Sequence, residues 1–201
     1  MGMTCTLRRA DDPEIRRLLA SPDQASLFLH GPLPVMRPVR IPGVLGFLLR
    51  FLPVEVSEAD PSTPVSPPND EVLDLEGSWH GLHFLFTGSA WEGELPAAFL
   101  VKGGTELDAG ENDEDGVVRV LDAGQVRAID AWLQALSGPA LAQRYDPRRM
   151  AELGIEREAL RATESAQEQP GLERLLEALE ELRAYVHDTC ERGQGIVIQL
   201  S

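Results

Sequence analysis

Apolar positions along the chain fall into helical stripes far more often than into strand alternation. The longest stripe is Leu172, Leu175, Leu176, Leu179, Leu182, Val186 and Cys190, with Glu173, Glu177, Glu180 and Glu181 on the other face. It predicts one long helix that ends at Gly193. Val126, Ile129, Leu133 and Leu136 predict a second, opened by Asp122 with Gln125 three residues on as a capping box and stopped by Ser137-Gly138-Pro139. A shorter first helix is expected from an Asp12 cap, with Pro13 at the first helical position, Ile15, Leu18 and Leu19 inward, and a stop near Ser21-Pro22. Asp146-Pro147 opens another, which carries Met150 and Leu153 and ends at Gly154.

Residues 73–104 are the densest in signals. Asp74 is expected to start a helix that places Trp79, Leu82, His83 and Phe86 on one face and ends at Thr87-Gly88. Residues 96–101 then read as a short apolar element before a Gly103-Gly104 turn, an acidic loop over 108–115 and a strand over 117–121. Two further strands are expected, over 3–7 and 195–200, the last pairing with the first or with 117–121. Strands this few, without regular alternation with helices, predict an α+β fold: one helix-rich domain with a small sheet that includes the N- and C-terminal strands.

Prolines at 32, 34, 38, 42, 53, 61, 64, 67 and 68 exclude long helices and central strands from residues 30–70. That region is read as a loop-rich insertion within a single domain over 1–201. A short apolar helix is expected at 44–52, and 59–70 has the composition of an exposed connector.

Charge adds a direction. The formal net charge is −15, and residues 55–115 hold fifteen acids against the single Lys102, a local net of −14. Such a block repels nucleic acid and anionic membranes and either attracts a basic partner or is a solvated face that only confers solubility. Cys5 and Cys190 lie at opposite ends of the chain, which suggests neither a disulfide framework nor a zinc site and fits a reducing cytoplasm. The longest apolar run, 44–56, is broken by Arg50 and Pro53 and falls short of the about 20 residues of a membrane span, so no membrane association is expected.

Several of these segments together carry a resemblance. They are the Met-Gly-Met start, LDLEGSWHGLHFLFTG at 73–88, the Gly103-Gly104 turn, VVRVLD at 117–122, Tyr145-Asp146-Pro147 with Met150 and Gly154-Ile155, and the last helix closing on a glycine and an apolar strand. In this order the chain resembles the YfbM-like bacterial domain-of-unknown-function family over most of its length. It departs from that pattern in the proline-rich 30–70 region, which looks longer than usual, and at Glu156-Arg157, where such proteins often carry Tyr-Pro. The resemblance implies a single α+β domain and no established reaction.

Candidate chemistry centres on His80 and His83, three residues apart near Glu76 and beside Trp79. A histidine pair at helical spacing can share a metal, but His30 and His187 stand at no characteristic spacing, so no metal is assigned. Trp79, His80, His83, Gly103 and Gly104 remain candidates for a binding pocket, against the plainer reading of His83 as a core residue. Asp113, Glu114 and Asp115 precede Gly116 without the spacing of a calcium loop and stay only as candidate binding residues. Neither a phosphate-cradling nor a dinucleotide glycine motif occurs, Ser78, Ser89 and Ser137 lack a nucleophile elbow, and Cys190 reads as packing. No cofactor and no catalytic residue are therefore assigned. The favoured reading is a cytoplasmic, non-enzymatic module that binds a basic protein, of immunity or adaptor type. The alternative is an enzyme or small-molecule binder with a pocket near Trp79, His80 and His83.

Overall fold

The structure is a computed structural model that describes residues 3–30, 71–107, 116–155 and 170–201. In chain order these form β1 (Cys5–Ala10), α1 (Asp12–Ala20), a 3-10 turn (Pro22–Gln24), α2 (Ala25–His30), β2 (Val72–Asp74) and α3 (Ser78–Thr87). There follow α4 (Phe99–Lys102), β3 (Thr105–Leu107), β4 (Val117–Leu121), α5 (Ala123–Ala135), α6 (Gly138–Ala142), α7 (Pro147–Glu152), α8 (Pro170–Glu191) and β5 (Gly195–Leu200).

The five strands form one antiparallel sheet in the order β2-β1-β5-β4-β3. β5 is central and pairs with both of the strands offered as alternatives: Leu200 pairs with Cys5 on one side and Val117 on the other. All six of its residues are buried, which explains why its sequence runs apolar instead of alternating cleanly. The paired ends are fastened by Thr4 N–H donating to the Ser201 carbonyl at 2.7 Å, with the return bond at 3.2 Å.

Strand alternation divides the core between the two faces of the sheet. Cys5, Leu7, Leu121, Ile196, Ile198 and Leu200 pack with Trp79, Leu82, Val126, Leu133, Leu179 and Val186 from α3, α5 and α8. Ala10, Val118, Val120 and Val197 meet Ile15, Leu18, Ala25 and Leu29 from α1 and α2 on the other face. The result is the expected α+β arrangement. α8 buries its leucine stripe and leaves Glu173, Glu177, Glu180 and Glu181 exposed. Its approach to α3 depends on Gly81, where an added Cβ would lie 2.6 Å from the buried Leu175 Cδ2.

Four local expectations are corrected. The cap of α1 is Asp11, not Asp12: Asp11 Oδ1 accepts the Glu14 N–H and Glu14 Oε2 accepts the Asp11 N–H, both at 2.8 Å, so the capping box starts one residue earlier. β1 runs to Ala10 rather than ending at residue 7, because Arg9 is neutralised inside the fold by the Asp188 carboxylate at 2.6 Å and bonded to the Thr189 hydroxyl at 3.0 Å. The helix expected from Asp74 starts at Ser78. Asp74 ends β2 opposite Thr6, its Oδ1 accepts the Glu76 N–H at 2.8 Å, and Glu76 turns to a left-handed φ of 44° that no helix can continue through. Finally, the Ser137-Gly138-Pro139 stop also begins α6, with Pro139 in its first turn.

The expected helix at 44–52, connector at 59–70 and acidic loop at 108–115 lie outside the described residues. Among the described residues, no helix is long and apolar enough to cross a membrane.

Candidate functional site

α3 is apolar nearly all round, and every residue from Ser78 to Phe86 is buried. Trp79 is fully enclosed, and its indole N–H donates to the Met3 carbonyl at 3.0 Å. The His80 ring stacks on it at 4.6 Å with planes 8° apart, and His80 Nε2 lies 3.0 Å from the Ala90 carbonyl oxygen. Trp91, 44% exposed, leans over both rings at 5.7 and 4.8 Å and roofs the cluster.

His83 stands apart from that network. It is completely buried and neither ring nitrogen has a hydrogen-bond partner. Burial first, then the neighbouring His80, pushes its pKa down from 6.5 to about 4, while the Glu92 backbone and carboxylate oppose the shift. It is a neutral imidazole at physiological pH, walled off from solvent, and suited to packing more than to proton exchange with a substrate. Lys102 pairs with Glu92 at the surface nearby, and that pairing holds the Glu92 carboxyl below its usual range.

Gly103 and Gly104 follow Lys102 and serve the backbone. Gly103 N–H donates to the Phe99 carbonyl at 2.9 Å, closing α4, and Gly104 takes a φ of 80° where a Cβ would collide with the Val120 carbonyl. The structure thus gathers Trp79, His80 and His83, while Gly103 and Gly104 serve the backbone at the end of α4. Asp113, Glu114 and Asp115 lie outside the described residues. Among the described residues no three histidines, cysteines or carboxylates are grouped to hold a metal.

An open groove of about 250 Å³ lies elsewhere, between the turn that precedes α3 and the exposed face of α8. Asp74, Leu75, Glu76 and Ser78 form one wall, and Arg174, Glu177, Ala178 and Glu181 form the other. The α8 residues are spaced three and four apart, which places them on one helix face. Arg174 Nη2 reaches Glu76 Oε2 at 3.3 Å. Here two acids of the strongly negative segment meet the glutamate face of α8.

Sequence reasoning saw the α8 glutamates as a solvated face but not what stands opposite them. It also missed Trp91, and Arg144, whose Nη1 donates to the Leu85 and Phe86 carbonyls at the end of α3 at 3.1 and 3.0 Å. A lone arginine after a Gly-Pro turn carries no local mark of that role.

The model of a family described as a domain of unknown function, DUF1877, matches residues 1–199. The chain belongs to the DUF1877 family. This DUF1877 domain is similar to the solved structure of YfbM from Escherichia coli, a protein of unknown function, with a TM-score of 0.62 over 98% of this chain and 99% of that one. The two are 18% identical, so the likeness shows the fold alone. No curated protein matches the DUF1877 chain. The kinship that the 73–88 segment indicated is therefore shown.

Proposed function

We propose that this protein is a non-enzymatic binding module for a basic protein, acting in the cytoplasm in an immunity or adaptor role. The observation that carries this reading is the groove, where Asp74 and Glu76 converge with Glu177 and Glu181 and, among the described residues, only Arg174 opposes them. Exposed charge of one sign raises the rate of encounter with an oppositely charged partner and orients it before contact. The alternative, a small-molecule site beside Trp79, His80 and His83, has less behind it, because Trp79 and His83 are fully buried and the groove is lined by none of the three.

Affinity capture from the native host tests the proposal, using the wild-type chain and a variant carrying Asp74→Asn, Glu76→Gln, Glu177→Gln and Glu181→Gln. The wild type is expected to retain a basic polypeptide at low salt and release it at high salt, since exposed charges separated by more than about 10 Å are screened at 0.1 M. Equal capture by the two chains would contradict the proposal.

A further inference from the structure

His83 is buried without compensation: it has no exposed surface, and neither ring nitrogen has a hydrogen-bond partner. Buried polar groups are ordinarily satisfied, so this ring is held at a cost. A proton makes the cost larger, because both nitrogens then carry donors and the new charge has no water around it. The charged groups that act on the ring are His80 on the same helix, Lys102 on α4 and Glu92 on the strap of residues 89–98 that follows α3. His80 and Lys102 oppose a positive charge and Glu92 favours it, but burial is larger than any of the three.

The strap itself is weakly fastened. Trp91, Glu92, Glu94 and Leu95 are exposed, and its backbone bonds are local, from the Glu92 N–H to the Ser89 hydroxyl at 3.1 Å and from the Ala98 N–H to the Glu94 carbonyl at 3.0 Å. It is tied to α3 by the Ala90 carbonyl on His80 Nε2 and by the Trp91 ring over Trp79 and His80. Glu92 pairs with Lys102 at the surface, where ion pairs contribute little. Of the strap, only Ala90 belongs to the main buried cluster, with Ala97 packed against it, so the sheet and α8 stay packed without it. Segments with so few buried contacts open at lower cost than the core.

We propose that His83 is a proton sensor and the strap its lid: a proton taken up by His83 releases residues 89–98 and bares Trp79, His80 and His83 to solvent. At neutral pH the ring is uncharged and tolerates burial, which keeps the lid shut. In acid the imidazolium is hydrated only in the open form, so the population moves toward that form. The sign follows from the lowered folded pKa, about 4 against 6.5: closure is favoured in full above pH 6.5 and loses ground as pH falls toward 4. The open fraction then rises about twentyfold from pH 7 to pH 5. Glu92 stays charged over that range, because Lys102 holds its carboxyl below the ordinary value, so loss of its pair does not account for the rise.

The test is thiol reactivity of the full chain toward a dipyridyl disulfide, in a Cys190→Ser background carrying Ala90→Cys. Ala90 is buried under the strap and its substituted thiol reports local opening, whereas Cys5, fully buried in β1, reports global unfolding. Each rate is divided by that of a free cysteine peptide at the same pH. The thiol at position 90 is expected to react faster than Cys5 at every pH and to gain about twentyfold from pH 7 to pH 5. His83→Leu is expected to flatten that rise to within about twofold. Trp91→Ala is expected to raise the rate about tenfold at every pH, the worth of the ring contacts it removes, and to keep the rise. A flat wild-type profile, or a rise that survives in His83→Leu, would overturn the inference. Equal rates for the two thiols would overturn it as well, since the opening would then be global unfolding. The wild-type comparison of the two thiols uses no substituted histidine and decides the matter even if His83→Leu fails to fold.

Discussion

Acidification should unfold this protein partly through one residue. His83 is fully buried with both ring nitrogens unpartnered, and its folded pKa is lowered from 6.5 to about 4. The folded state thus disfavours the imidazolium, so the unfolded chain takes up the proton first. The His83 contribution to stability is complete above pH 6.5 and is lost as pH falls from 6.5 toward 4. Linkage puts the loss at about 1.4 kcal/mol at pH 5.5 and about 3 kcal/mol at pH 4. Against a typical domain stability of about 5–15 kcal/mol that is a large fraction. The assay is urea unfolding at intervals from pH 8 to pH 4, comparing the wild type with His83→Leu, which keeps an apolar side chain of similar bulk in place. Subtracting the two curves cancels the titration of Asp188 and His187, whose shifts have no contribution from His83. The stability gap in favour of His83→Leu should widen by about 3 kcal/mol from pH 7 to pH 4 with unchanged m-values. Parallel curves across that range would refute the reasoning, since they would mean that His83 is solvated or bonded in the folded state.

Three further outcomes follow from the packing. Arg144→Ala leaves the Leu85 and Phe86 carbonyls at the end of α3 without their donor, and chemical denaturation should show a loss of about 1–2 kcal/mol. Gly104→Ala forces a side chain into a left-handed turn against the Val120 carbonyl, and the thermal midpoint should fall by an amount matching about 2 kcal/mol or more. Asp122→Ala removes the α5 cap, whose carboxylate accepts the Gln125 N–H at 2.8 Å, and should cost about 1 kcal/mol in the same unfolding assay.

Those parts of the fold written in short-range spacing were legible in the sequence. α5 and α8 follow from leucine stripes with a cap or a terminating glycine, and β5 from an apolar run with turn residues before it. What depended on distant partners was not. Arg9 is buried in β1 with Thr189, Asp188 and the Tyr185 ring beside it, and Thr189 is 180 positions away. Asp74 looks like a helix cap from its neighbours, and only the left-handed Glu76 turns it into the end of a strand.

The histidine cluster divides along the same line. Helical spacing put Trp79, His80 and His83 together, but their burial is set by what covers α3, including Trp91. The groove was hidden for a similar reason. Its acids were visible in two separate segments, and the contact that joins them, Arg174 to Glu76, spans 98 positions.

The most direct measurement of the central claim is the affinity of the captured basic partner for three chains at low salt. One is the wild type. The second carries the four neutralised groove acids, and the third an equal neutralisation at the exposed Asp12, Asp23, Glu94 and Glu152. The account predicts a loss of about tenfold or more for the groove variant alone, because local complementarity outweighs net charge. Equal weakening of both variants would contradict it and reduce the acidic surface to a source of general attraction.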